Sequence, residues 1–468
     1  MAITVTNINT LSLLNILNRT SVAQSDAMLR LSTGSRINRG KDDPAGLIAM
    51  RSLETELTAV DAAIANNQRT DSMLNVADKS LTEVASLLDE IKGLAIASAN
   101  EDALSPAELI ANQSQVDEAI AAIDRIIGTT SFNGKKLLDG SLGINVTGVD
   151  TTKISDLKVY SRNPDSDTSL TVSVTGAAEK AQYQVATTSA TGDTAISIQG
   201  KEGTVVIDIT SGENLSAVAA KINASTAQTG VTASASGGDL TLLSSDYGSE
   251  AFVRVSVVDT DTTDTSFAGG SDYGVDATVT VNGQATAVDG LEVGYSANGV
   301  SLTFNLTEDY NDGTVTGDET FTISSSTGGA TFQLGTTAST RSTIGIDGLY
   351  SHQLGSAVLG YLSSIKGGGT NSLVNDPNQA AQIASAAATE VAKVQGRIGG
   401  FLKFQVGTAL NQQTATRESL TSALSVIKDV DYATETAELS KQNVLMQTSM
   451  TLLGLAQQQT SQILYLLQ

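Results

Sequence analysis

Few residues in this sequence could do chemistry. The chain has one histidine, His352, and no cysteine. Without cysteine there is no disulfide or thiolate nucleophile, and one histidine cannot build a histidine-rich metal centre. The segment from Tyr350 to Gly355 places no acid or second histidine beside His352, which predicts a polar loop residue. We therefore expect no enzyme activity and no catalytic, cofactor-binding or metal-binding residue.

Two acidic runs could in principle supply oxygen ligands to calcium. They are Asp259, Asp261 and Asp264, and then Asp309, Asn311 and Asp312 before Gly313. The first run lacks the glycine turn and the distal glutamate of a calcium-binding loop. Calcium binding by the second run is disfavoured in a similar way. Solvated acidic loops are the favoured interpretation of both.

The charge balance excludes several classes of partner. The 468 residues carry a formal net charge of −23, and nucleic acids and anionic membranes are bound by basic surfaces. We expect neither as a partner. The sequence has no apolar run of about 18 residues that could cross a bilayer. Asn15 and Asn18 interrupt the apolar residues near the start, and the first basic residue, Arg19, follows them. This pattern predicts no cleavable signal peptide.

Composition divides the chain into three regions. From Asp165 to Ala330 there are four basic and 22 acidic residues, a balance of −18. This middle region is rich in Thr, Ser, Val, Gly and Asp in short alternating runs, which are typical of strands. Both flanks have apolar residues at helical spacing. The predicted order is helical, then β-rich, then helical again.

The flanks contain three seams of apolar residues at alternating steps of three and four. They run from Leu53 to Ile91, from Leu109 to Ile127 and from Val391 to Ile427, the last with a shifted face after Phe401. Such seams must be buried against one another. We predict a long coiled-coil bundle formed by both ends of the sequence, with β-rich outer domains in the middle, an α+β multidomain fold.

Strand and turn signals lie between the helical flanks. Phe132, Asn133 and Gly134 predict a turn, with a small hairpin on the side of the bundle. Residues 142–146 and 154–160 are short strand candidates. In the middle, alternating residues near Leu170, Val279 and Leu302 predict antiparallel strands with one solvated face. One helix is predicted from Glu213 to Asn223.

The two extreme ends carry seams of their own. The first helix is expected from about Leu11 to Leu31, with Gly34 breaking it and Asp42 and Asp43 as caps of the next helix. An isolated helix does not offset its ordering entropy unless its apolar stripe is buried. We predict that the ends are largely disordered in the monomer and fold on self-assembly. The predicted self-assembly residues are Leu14, Leu17, Met28, Leu31, Leu439, Met446, Met450, Leu453, Leu464 and Leu467.

Several motifs in the flanks resemble those of bacterial flagellins. The N-terminal ones are RLSTG at 30–34, RIN at 36–38, KDDPAG at 41–46, LAIASAN at 94–100 and SFNG at 131–134. Near the other end, Asp429 and the DYAT segment at 431–434 resemble the opening of the family's final helix. The likeness covers roughly residues 1–163 and 331–468.

The resemblance implies a protein of the extracellular flagellar filament that polymerises with copies of itself. Such a protein is exported unfolded through the flagellar type III channel and assembles beneath a cap protein. It also implies an export chaperone and junction proteins as partners. Alternatives that the residues leave open are a hook-filament junction protein and a secreted adhesin on a coiled-coil stalk.

The middle resembles the family's hook IN insert over about 190–256, and a second β domain is expected near 270–328. The expected divisions of the chain are a terminal helix with connector, the N-terminal part of the bundle with its hairpin, the β-rich outer region, the C-terminal part of the bundle and the last helix. They span 1–42, 43–164, 165–330, 331–428 and 429–468.

Flagellins of many bacteria are recognised by a Toll-like receptor of animal hosts through the long helices. Leu94 matches a position that the family uses for this contact. Glu90 stands where recognised members carry arginine, and Gln115 lies near where they carry glutamate. These changes of charge predict weak or absent receptor activation.

Overall fold

A computed structural model describes residues 8–100, 104–186, 192–258, 267–356 and 359–466, with side chains from residue 10 to residue 459. The chain divides into two compact units. The terminal unit contains residues 1–66, 335–337 and 408–468. The central unit contains residues 67–334 and 338–407.

Long helices come from both ends of the sequence. In chain order the helices are α1 Ile8–Thr33, α2 Pro44–Ser98, α3 Pro106–Thr129, α4 Leu215–Ala224, α5 Thr226–Thr229, α6 Glu308–Asn311, α7 Pro377–Gly400, α8 Gly407–Lys428 and α9 Tyr432–Leu466. Short 3₁₀ turns lie at Ala338–Thr340 and Leu362–Ile365. None of the helices in the described ranges combines the length and apolar character that a bilayer crossing needs.

In the central unit, α3, α7 and the C-terminal part of α2 share one aliphatic core. The predicted seam residues fill it: Leu81 and Leu88 of α2, Ile120 of α3 and Val391 of α7 are fully buried. The α3 helix begins at a capping box, because Ser105 Oγ accepts a hydrogen bond from the Glu108 N–H at 3.3 Å and the Glu108 carboxylate accepts one from the Ser105 N–H at 2.8 Å. The predicted bundle of helices from both flanks is confirmed.

A π-helical segment, Phe401–Val406, joins α7 to α8. A π turn holds more residues than an α turn, so the apolar positions after it point in a different direction from those before it. This accounts for the shifted face in the third seam of the sequence. Phe401 remains packed on the central core, with its ring centroid 5.8 Å from that of Phe332.

The strands are short, and those that pair do so in antiparallel order throughout the described ranges. They are β1 Ser131–Phe132, β2 Lys135–Lys136, β3 Ile144–Thr147, β4 Ile154–Ser161, β5 Thr168–Gly176, β6 Lys180–Ala186, β7 Thr194–Gln199, β8 Thr204–Ile209, β9 Val231–Ser236, β10 Asp239–Tyr247, β11 Phe252–Val257, β12 Gly270–Tyr273, β13 Thr278–Val281, β14 Gln284–Ala285, β15 Ala287–Asp289, β16 Glu292–Ala297, β17 Val300–Leu306, β18 Glu319–Gly328, β19 Ala330–Gln333, β20 Arg341–Ile344, β21 Gly355–Ser356 and β22 Gly360–Tyr361.

The first β domain has two sheets around one core. The five-stranded sheet has the order β14-β13-β5-β18-β3, and the four-stranded sheet has the order β15-β16-β17-β4. Its core includes Leu170, Val279, Leu302 and Phe304 on the predicted alternating strands. The strands β3 to β5 complete the domain indicated near 270–328, so the β-rich part starts before the composition change at Asp165.

The second β domain lies between β5 and β13 in the sequence. The sheets β6-β10-β9 and β12-β11-β7-β8 enclose a core that α4 completes. This helix matches the one predicted from Glu213 to Asn223, and its apolar side is buried at Leu215, Val218, Ala219 and Ile222. The Asn214 side chain caps this helix through the Ala217 N–H at 2.8 Å.

The predicted turn at Asn133 and Gly134 connects β1 to β2 in a small hairpin. Both residues have positive φ angles, 49° and 79°, which two-residue hairpin turns require and which Asn-Gly tolerates. The strand candidates at 142–146 and 154–160 do not pair with each other. Instead β3 pairs with β18 and β4 pairs with β17. The two strands therefore lie in different sheets, and Ile144 and Ile154 are buried in the core between them.

Candidate assembly surface

A short connector links α1 to α2 in the terminal unit. It pairs with the connector between α8 and α9 through the bridge Ser35 to Asp429. The Arg36 N–H donates to the Lys428 carbonyl at 2.7 Å, and the Val430 N–H donates to the Gly34 carbonyl at 3.1 Å. The two chain reversals are thus joined by backbone hydrogen bonds.

Gly34 has a φ of +66°, so the predicted break after α1 is a left-handed C-terminal residue of the kind glycine favours. A Cβ atom there would lie 3.1 Å from the hydroxyl of Tyr432, at the start of α9. The glycine therefore allows both the reversal and the close approach of the last helix.

Aspartates fix the ends of the connectors. Asp43 Oδ1 accepts a hydrogen bond from the Gly46 N–H at 2.8 Å, as expected of a cap on α2. The Asp42 carboxylate instead accepts from the N–H groups of Asn38 and Arg39 at 3.1 and 2.8 Å. Burial works to raise the pKa of Asp42, but these hydrogen bonds outweigh it and lower the pKa overall.

Asp431 caps α9 from the other connector. Its carboxylate accepts hydrogen bonds from the Thr434 hydroxyl at 2.8 Å and from the Ala433 N–H at 2.9 Å. The Thr434 side chain is the largest cause of the lowered pKa of Asp431, followed by the backbone N–H groups. The DYAT motif is thus a helix start whose aspartate is stabilised in its charged form.

The helices α1 and α9, here called the terminal pair, run antiparallel. Arg30 forms an ion pair with Glu435 at 3.5 Å, and Gln24 Nε2 donates to Asn443 Oδ1 at 2.6 Å. Residues nearer the start of α1 therefore lie beside residues nearer the end of α9. Partly exposed ion pairs of this kind contribute little, on the order of 1 kcal/mol or less, so they orient the pair more than they stabilise it.

Small side chains are buried most completely in the terminal pair. They are Thr20 and Ala27 of α1 and Ser449 of α9. Small residues let two helices approach closely, but each buries little apolar area. We infer that the pair is only weakly stabilised on its own.

The predicted self-assembly residues fall into three groups. Those at intermediate burial are Leu17, Leu31, Leu439, Met446 and Leu453. Those that are exposed are Leu14, Met28 and Met450. The side chain of Leu464 and the whole of Leu467 lie outside the described residues. On α9 the most buried position between Met446 and Leu453 is Ser449, next to the exposed Met450.

The terminal pair leaves many large apolar side chains in solvent, here called the open apolar set. It comprises Leu11, Leu14, Ile16, Val22, Met28, Val444, Leu445, Met450, Leu452 and Leu455. Each exposes about half of its surface, and full burial of such a side chain stabilises by about 1.5–3 kcal/mol. Covering the remaining half of all of them would contribute on the order of 10 kcal/mol. Exposed sets of this size mark interaction surfaces.

The residues of the predicted receptor contact lie in the central unit. Glu90 and Gln115 are exposed, on α2 and α3, and Leu94 is half-buried against the bundle core. The side chains of Glu90 and Gln115 are therefore accessible to a partner.

The residues considered for chemistry have structural contacts instead. The exposed His352 ring stacks on Tyr350, with centroids 5.7 Å apart. The Asn311 amide is buried and binds the backbone of Ala178 through both of its atoms, so it is not available to a cation. The run from Asp259 to Asp264 lies outside the described residues. Within the described ranges, no cluster of acids and histidine could hold a metal ion.

These features define an α+β chain whose two ends pair as helices and whose β-rich domains are inserted between them. The family descriptions that match are the bacterial flagellin N-terminal helical region at residues 5–142, the flagellin C-terminal helical region at 381–467 and the flagellin hook IN motif at 195–246. Together they span more than half of the chain. The chain belongs to the bacterial flagellin family.

The chain is also similar in sequence to individual flagellins. The chain is 39% identical over 144 residues to the B-type flagellin of Pseudomonas aeruginosa, a match that spans 31% of this chain and 29% of that protein. It is 37% identical over 144 residues to polar flagellin A of Vibrio parahaemolyticus, spanning 31% and 38%. The chain thus matches about a third of the length of these relatives.

A solved structure of the flagellar cap protein FliD from Escherichia coli is also similar. It aligns with 52% of this chain and 64% of its own, at 19% identity and a TM-score of 0.27. A score at this level does not establish a shared overall arrangement.

Proposed function

We propose that this protein is a structural subunit that polymerises with copies of itself into the bacterial flagellar filament used for swimming. The observation that supports this most directly is the open apolar set on the terminal pair. Helices with large apolar side chains in solvent gain their full stability only when another surface covers them. In a homopolymer the covering surface is the same pair of helices on neighbouring subunits.

The same reasoning supports folding of the ends during assembly. The terminal pair buries mainly small side chains, and its ion pairs are partly exposed. Ordering each residue costs roughly 1–2 kcal/mol of backbone entropy, which this contact does little to offset. Circular dichroism should therefore show a gain of helix when monomer is converted to polymer. An unchanged helix signal would contradict coupled folding.

The polymer itself is tested with Leu453→Asp. Leu453 lies at intermediate burial on α9, and a charge there should block helix packing while the central bundle stays folded. We expect seeded growth, followed by electron microscopy, to give long tubes from the native chain and none from the variant. Val206→Asp, on an exposed strand of the second β domain, is the matched control and should polymerise normally. Normal tubes from Leu453→Asp would refute the proposal.

The microscopy also separates the filament from the alternatives. A hook-filament junction protein would add a short zone to the seeds and stop, and a stalked adhesin would not extend them. As a filament subunit the chain would be exported through the flagellar type III channel. We propose that it works outside the cell with an export chaperone, a cap protein and junction proteins as partners.

We also propose that recognition by the animal Toll-like receptor is weak or absent. Glu90 is exposed where recognised members carry arginine, and Gln115 is exposed near where they carry glutamate, so the charge presented to the receptor would be changed. A reporter-cell assay with purified monomer should show low potency, and Glu90→Arg should raise it. Full potency of the native monomer would contradict this expectation.

A further inference from the structure

A basic pocket lies in the central unit, between the end of β4, strand β20 and the π-helical segment. Its volume is about 630 Å³. Three of the chain's 12 arginines line it, Arg162, Arg341 and Arg397, and Asp165 is the one acid among the described lining residues. In a chain with a net charge of −23, a lining with three arginines and one acid indicates a site for an anion. Outside the lining, Asp167 acts on Arg162, and Asp347 and Glu390 act on Arg397.

Arg162 is held rigidly at the pocket wall. It is 6% exposed, and its guanidinium donates to the carbonyls of Ser324 and Gly328 at 3.1 and 2.9 Å. Its Nε–H has no partner among the described residues. Burial lowers the pKa of Arg162, although Asp167 opposes the change. Carbonyls position this cation without neutralising it, so a bound anion would lower its cost of burial.

Arg397 is the second fixed cation. Its guanidinium carbon lies 3.4 Å from the centroid of the Tyr160 ring, and its Nη1 has no partner among the described residues. Burial lowers the pKa of Arg397 and is the main cause of a raised pKa at the nearby Asp347. Asp347 is therefore held less firmly in its charged form, which weakens the counter-charge that it offers to Arg397. Glu390 is a second counter-charge that opposes the lowered pKa of Arg397.

The rest of the lining is aromatic and hydroxylated. Phe404 on the π-helical segment is 65% exposed, and Phe401 and Tyr160 lie at the same pocket. The side chains of Ser161 and Ser301 add hydroxyl groups. Guanidinium groups bind carboxylates, aromatic rings pack on the flat apolar sides of sugar rings, and hydroxyl groups pair with sugar hydroxyls.

We propose that this pocket binds a carboxylated sugar, such as a uronic acid unit of an acidic polysaccharide. Arg397 and the exposed Arg341 contact the carboxylate, and Phe404 packs on the ring. Arg162 keeps the wall positive. This binding does not depend on polymerisation, so it can be tested whether or not the chain forms filaments.

The test uses the full-length monomer with galacturonate as probe, measured by calorimetry and by saturation-transfer NMR. We expect galacturonate to bind at least about tenfold more tightly than galactose or inorganic phosphate. Arg341→Gln should weaken galacturonate binding about tenfold, and Phe404→Ala should weaken it without changing phosphate binding. Arg254→Gln, an exposed arginine outside the pocket, is the matched control and should bind like the native chain.

The outcomes that overturn the proposal are distinct. Equal binding of galactose would show that the arginines do not contribute, and equal binding of phosphate would show that the sugar ring does not. Loss of binding in Arg254→Gln would indicate a general charge effect. If galacturonate fails to bind and the chain instead associates through Arg341 in sedimentation experiments, the pocket contacts an acidic surface of a second copy.

Discussion

The open apolar set leads to a quantitative prediction for the double variant Leu452→Gln, Leu455→Gln. These side chains are 53% and 52% exposed on α9, and glutamine keeps nearly the same helix propensity as leucine. Completing the burial of a half-exposed leucine stabilises by about 1 kcal/mol. Losing both contributions removes about 2 kcal/mol for each subunit added, which raises the critical concentration for polymerisation roughly 30-fold.

The assay is sedimentation of seeded polymer over a series of subunit concentrations, with circular dichroism to show that the monomer is otherwise unchanged. The control is Val206→Thr, Val258→Thr, which changes two side chains of nearly equal exposure, 54% and 52%, on the second β domain. We expect the control to shift the critical concentration less than twofold. The reasoning is refuted if the two double variants behave alike, because burial on α9 would then contribute nothing specific to growth.

Three further predictions concern the fold. Gly34→Ala places a side chain at a φ of +66° and should lower the free energy of unfolding of the assembled polymer by about 1–3 kcal/mol. Gly93→Ala, which has open space around its Cβ, should raise this free energy by up to about 1 kcal/mol. Chemical denaturation of the polymer distinguishes the two variants, and equal effects would contradict the assignment. Ile120→Ala empties a fully buried position and should cost about 2–5 kcal/mol, with a matching fall in the unfolding temperature. Burial works to raise the pKa of Asp124, but hydrogen bonds from Ser351 and the Lys366 ammonium lower it overall; the native chain should therefore lose stability as the pH falls below the ordinary aspartate value through the lowered one, and Asp124→Asn should flatten this acid limb.

The helical parts of the fold could be predicted from the sequence because their signals are local. Seam residues such as Ile120 and Val391 repeat at helical spacing, and Ser105 with Glu108 marks a helix start. The buried side of α4 was equally predictable. Periodicity and capping depend on neighbours within one or two turns, which a sequence displays directly.

The strand partners could not be predicted in the same way. Alternation identifies Leu170, Val279 and Leu302 as strand residues, but pairing depends on register between segments more than a hundred residues apart. The β domain that combines β3 to β5 with later strands therefore emerges only from the structure.

The self-assembly residues stay a prediction. Apolar spacing on α9 indicated Met450 as one of them, and in the single chain Met450 is exposed while the neighbouring Ser449 is buried. Patterns based on hydrophobicity do not identify small polar residues such as Thr20 and Ser449. These residues are nevertheless buried in the terminal pair, because small side chains allow two helices to pack closely. The shifted seam after Phe401 was the one sequence signal of the π-helical segment.

The backbone bridge between Ser35 and Asp429 has a consequence for damage to the molecule. It joins the connectors at the inner ends of the first and last helices, so a protease that removes one helix with its connector leaves the other helix without its neighbour and without the two backbone hydrogen bonds between the connectors. Cleavage near either terminus should therefore impair both α1 and α9. In a partly digested sample, the two helices should be lost together.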